Sequence, residues 1–61
     1  MNCLIFIFKK SNSYYLVIGE TLEDAWLQLS QRQSMSLINC KKQYMLITVM
    51  NEYSDIVKLK N

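Results

Sequence analysis

Proline and histidine are absent from the 61 residues, and glycine occurs once, at Gly19. A chain with no proline, one glycine and 51% apolar residues is not a disordered or low-complexity segment. The lack of histidine removes the usual general base that activates a serine or cysteine. With only Cys3 and Cys40 as thiols, it also leaves too few ligands for a tetrahedral zinc site. A secreted disulfide scaffold of this size would carry four or more cysteines. Two point instead to buried thiols in a reducing compartment, so the cytoplasm is the expected location. A Cys3–Cys40 bridge stays open only if their strands are neighbours.

Charge of either sign is scarce. Seven Lys/Arg stand against five Asp/Glu, a net charge of +2. The isoelectric point of 8.6 falls short of the value above about 9 that marks a dedicated nucleic-acid domain. Long apolar runs are missing as well. Cys3 to Phe8 is a run of six, with Lys9 and Lys10 after it rather than before. A signal peptide wants the basic residues first and an apolar core of about 7–15 residues. A membrane span needs about 20. The run reads as a buried strand, and no membrane association is expected. There is no glycine-rich loop to cradle a phosphate. Neither a cofactor nor a small-molecule substrate is expected.

What remains is one small domain over residues 1–61, with no internal repeat and no linker. Cys3–Phe8 and Tyr14–Ile18 are rich in β-branched and aromatic residues. With the polar stretch Lys10–Ser13 between them they predict a hairpin with a loop of about four residues. Thr21 followed by Asp24 resembles a capping box, and Glu20, Glu23 and Asp24 suit the positive end of a helix dipole. Leu22, Ala25, Trp26 and Leu29 then fall at i, i+3, i+4 and i+7, which predicts a helix over about Leu22–Arg32. Three further strands are expected: Ser34–Cys40, Tyr44–Met50 and Asp55–Lys60, separated by turns at 41–43 and 51–54. The order β-β-α-β-β-β makes an α+β two-layer sandwich. One helix packs on one face of a mostly antiparallel sheet.

One helix covers only one face. A sheet with one wet face should alternate apolar and polar residues, yet two strands are apolar on both. Leu4, Phe6 and Phe8 oppose Cys3, Ile5 and Ile7. Met45, Ile47 and Val49 oppose Tyr44, Leu46, Thr48 and Met50. A monomer rarely exposes such a patch, so a partner is expected on the far face, most simply a second copy. Sheet twist and long Lys and Gln stems are the competing explanation. The candidate interface residues are Ile5, Ile7, Tyr14, Tyr44, Leu46 and Met50. With the fourth strand parallel to the first, Lys41 and Lys42 share an end with Glu20, Glu23 and Asp24. Lys9 and Lys10 share the other with Glu52 and Asp55, leaving no continuous basic stripe.

Functionally, the residues favour a non-enzymatic protein-interaction domain, homodimeric through its sheet or using a sheet face or edge on another protein. The cysteines in predicted strands read as structural rather than reactive. The acidic clusters are explained by a helix start and a turn. Abundant Asn, Lys, Ile and Tyr fit an AT-rich genome, an association that points to a phage or mobile-element inhibitor or adaptor of a host enzyme. The alternative is a small nucleic-acid binder. It would stack bases on Tyr14 and Tyr44, with Lys9, Lys10, Lys41 and Lys42 on the phosphates.

Overall fold

The computed structural model describes residues 3–51. Its order is β1 (Leu4–Lys10), β2 (Ser13–Gly19), α1 (Leu22–Arg32), α2 (Leu37–Gln43) and β3 (Met45–Asn51). The sheet runs β2-β1-β3, with β1 antiparallel to both neighbours. β2 and β3 are therefore parallel to one another with β1 inserted between them, and the two helices carry the chain across.

The hairpin is tighter than its polar stretch predicts. Lys10 pairs with Ser13, so the loop is two residues, Ser11 and Asn12. Ser11 has φ 55° while Asn12 stays in the ordinary half of the map. A left-handed first residue alone is the type II′ pattern, whose twist matches that of the strands it joins.

The helix expected over Leu22–Arg32 is present with those bounds. Thr21 caps it, its side-chain oxygen accepting from the Asp24 N–H at 3.1 Å. It ends in a left-handed reversal. The Met35 N–H donates to the Ser30 carbonyl at 3.0 Å and the Ser34 N–H to the Gln31 carbonyl at 3.2 Å, with Ser34 at φ 55°. This is the Schellman pattern, in which the apolar residue beyond the turn folds back on the helix. Met35 does so, packing against the core.

The strand expected over Ser34–Cys40 is not there. Ser36 instead caps α2, accepting from the Asn39 N–H at 3.2 Å. Leu37, Cys40 and Tyr44 are spaced i, i+3, i+7, a helical period that carries Cys40 and Tyr44 into the core. Lys41 and Lys42 thus belong to the last turn of a helix rather than to a loop. The strand expected over Tyr44–Met50 is β3, one residue later at each end. The strand expected over Asp55–Lys60 lies outside the described residues.

The core forms where β1 and β2 meet the helices: Phe6, Phe8, Val17, Ala25, Leu29, Cys40 and Tyr44. Trp26 leans on Phe8 with ring centroids 4.6 Å apart, and Tyr15 meets Tyr44 edge to face at 5.2 Å. Cys40 is fully buried as a thiol, and no bridge joins it to Cys3. The shortest principal extent is 14 Å, room for one sheet and one helical layer.

Candidate functional site

Strand register assigns the two faces. Leu4, Phe6 and Phe8 of β1 point at the helices, as do Tyr15 and Val17 of β2. The intervening residues point away. Ile5 pairs with Ile18, Ile7 with Leu16 and Lys9 with Tyr14, while on the other side Ile5 meets Met50 and Ile7 meets Thr48. Tyr14 is 63% exposed, Leu16 48% and Ile18 54%. Ile5, on the middle strand between Ile18 and Met50, is buried. The face turned from the helices is thus an apolar surface, and Lys9 is its one charge among the described residues. Its Nζ stands 5.5 Å from the centre of the Tyr14 ring, at one end of the strands.

Four of the expected interface residues meet here: Ile5, Ile7, Tyr14 and Met50. Tyr44 and Leu46 do not. Strict alternation would keep Leu46 with Thr48 and Met50, but the register steps from Ile7–Thr48 to Phe8–Leu46. Ile47 is the extra residue of a β-bulge, which resets the phase of β3. Leu46 consequently packs on the helical side. Leu16 and Ile18, absent from the expected set, are about half exposed and extend the face across β2. Their signal was the alternation of Tyr14, Leu16 and Ile18 against Tyr15 and Val17, which becomes readable once β1 supplies the register.

The edges of the sheet are not equivalent. Arg32 Nη1 donates to the Leu16 carbonyl at 2.8 Å, and Gln28 Nε2 to the Ile18 carbonyl at 3.0 Å. Both donors lie one turn apart on α1, and both acceptors are on edge strand β2. Gln28 is itself held by Asp24 Oδ2 at 3.0 Å. Gly19 leaves space for that contact, since a Cβ there would come within 2.8 Å of the same oxygen. Side chains from α1 therefore occupy carbonyls that an added strand would need.

Of the residues expected to contact nucleic acid, Lys9 and Lys10 line one open groove with Gln43, and Lys10 meets Tyr44. Tyr44 is only 6% exposed, enclosed by the edge of Tyr15 and by Lys10 Nζ at 5.3 Å, and it has no free ring face for a base. Lys10 also donates to Gln43 Oε1 at 2.8 Å. Lys41 lines an open groove of about 380 Å3 with Glu23 and Asp24. Lys9 and Lys10 are a different matter. β3 runs antiparallel to β1, not parallel, and ends with Asn51 opposite Leu4, away from Lys9. The direction assumed for that strand is corrected; Glu52 and Asp55 themselves fall outside the described residues.

Burial raises the Tyr44 hydroxyl above its ordinary range, and the neighbouring Tyr15 and Cys40 push the same way. Burial likewise raises the Cys40 thiol, partly offset by the Lys10 ammonium. A thiol held neutral and out of solvent is a poor nucleophile. Among the described residues no cluster of three or more Cys, Asp or Glu could hold a metal, and no helix is long and apolar enough to cross a membrane. No family model, curated protein or solved structure matches this chain.

Proposed function

We propose that this chain is a non-enzymatic protein-interaction domain that works through the open face of its sheet and pairs with a second copy there. The observation that carries the reading is the exposed row Tyr14, Leu16 and Ile18, beside Ile5, Ile7 and Met50, on the side away from the helices. Exposing such a row costs free energy that a covering partner recovers, at roughly 25 cal/mol per Å² of apolar surface. The absence of histidine and the raised, buried Cys40 thiol speak against nucleophilic catalysis. A cytoplasmic inhibitor or adaptor of a larger host enzyme, encoded by a phage or mobile element, is the form of this function that the composition favours. Binding of nucleic acid draws less support: of the two tyrosines it relied on, Tyr44 is enclosed and only Tyr14, beside Lys9, stays exposed.

Solution mass by light scattering, across a range of concentrations, tests the reading. Twice the chain mass of 7.2 kDa is expected at high concentration. A clean monomer throughout would remove self-association from it.

A further inference from the structure

We infer that the second copy lies sheet on sheet with the two-fold axis running across the strands, and that the pair is weak enough to exchange. The inference rests on the proposed use of the open face and adds its geometry and strength. Two observations carry it: the single charge that the described residues place on the face, and the size of the face.

Lys9 sits on the central strand, near one end. Two symmetric ways of stacking the faces differ in what they do with it. An axis parallel to the strands would set Lys9 over Lys9 of the second copy, two like charges in a closing apolar interface. An axis across the strands, passing between Ile5 and Ile7, carries each Lys9 to the opposite end. At about 3.3 Å per residue the two ammonium-bearing residues then stand roughly 20 Å apart, beyond the screening length of about 8 Å. The same rotation sets β2 over β2, with Leu16 near Ile18 of the second copy and Ile18 near its Leu16, and twist allows the strands to cross at about 30°. Approach along the β2 edge is disfavoured, because Arg32 and Gln28 already hold the Leu16 and Ile18 carbonyls.

The strength follows from area. Three strands about 4.8 Å apart and seven residues long make a face of roughly 14 by 23 Å in plan. Side-chain relief raises this to about 500–600 Å² per copy, or about 1,100 Å² in all, just under the range for specific stable complexes and in that of weak, transient ones. A dissociation constant near micromolar is the expectation. Self-association would then cover the face at high concentration and release it for another protein on dilution.

The test mixes two samples. One is unlabelled chain carrying a nitroxide at Asn12→Cys, in the exposed hairpin turn at the Lys9 end so that Lys9 itself is kept, with Cys3→Ser to leave buried Cys40 as the other thiol. The second is isotope-labelled wild-type chain, so that any line broadening is between copies. Expected is broadening at the far end of the strands, at the amides of Leu4, Gly19 and Asn51. A second label at Ser13→Cys, exposed at the same end of the strands, should give the same pattern if the first variant folds poorly. Broadening around Tyr14 and Met45 would overturn the geometry while leaving the dimer standing. A dimer by mass with no broadening of sheet amides would overturn both. So would a monomer at all concentrations. A dimer that survives dilution to nanomolar levels would overturn the stated strength alone.

Discussion

Two serines hold backbone conformations that suit glycine. Ser11 and Ser34 both have φ 55°, one in the hairpin and one just past α1. A left-handed residue with a Cβ costs about 1 kcal/mol, and glycine avoids that cost at the expense of a more flexible unfolded chain. Ser11→Gly and Ser34→Gly should each raise stability by roughly 0.5 kcal/mol. Urea melts would show it as a higher midpoint with unchanged slope; a lower midpoint would mean the serines contribute contacts not described above. Tyr44 and Cys40 give a second residue-scale expectation. Both groups bind their protons more tightly in the folded chain. Above the unfolded values, near 9 for the thiol and 10 for the phenol, the unfolded chain releases protons that the folded chain keeps. Stability is therefore full below about pH 9 and falls as pH rises through the folded values. Tyr44→Phe should flatten the upper part of that fall in thermal melts taken from pH 8 to 11. An identical alkaline loss in the variant would detach it from Tyr44.

At the scale of elements, what was legible depended on whether a local pattern had one reading. α1 had a cap, an acidic first turn and an unbroken apolar face, and its bounds are those expected. Ser34–Cys40 had two readings. Met35, Leu37 and Ile38 suit a strand, whereas Ser36 as a cap and the spacing of Leu37, Cys40 and Tyr44 suit a helix. The sequence carries no glycine at the end of α1 to mark the reversal, because Ser34 takes the left-handed position. The bulge at Ile47 left no trace in the sequence either, and it alone sends Leu46 to the helical side. The closure of β2 was similarly hidden, since Gln28 and Arg32 look like ordinary polar positions until register aims them at Ile18 and Leu16. Losing both should cost roughly 2 kcal/mol, the sum of one neutral and one charge-assisted hydrogen bond. It should also free an apolar edge for pairing with other chains. Gln28→Ala/Arg32→Ala is thus expected to melt earlier and to form higher-mass species on standing. An unchanged melt would show that these contacts do not protect the edge.

For the whole molecule, the open face separates folding from association. Leu16 and Ile18 are about half exposed in the single chain and lie outside the core cluster, with Ile5 the buried residue that pairs with Ile18. Replacing either with lysine should therefore leave the fold nearly intact, with a stability change within about 0.5 kcal/mol. In a sheet-on-sheet pair the same ammonium would be taken out of water in the middle of an apolar interface. That costs several kcal/mol unless it is paired, and among the described residues the face offers no carboxylate to pair with it. Leu16→Lys or Ile18→Lys should thus weaken dimerisation by at least about a hundredfold while the thermal melt at low concentration stays in place. A lysine on the exposed outer side of α1, at Gln31, should change neither property. Light scattering and circular dichroism on the three variants would read both quantities from one preparation. If the Leu16 and Ile18 variants unfold, the face is part of the core rather than a surface. If they fold and still dimerise like the wild type, the pairing surface lies elsewhere on the molecule.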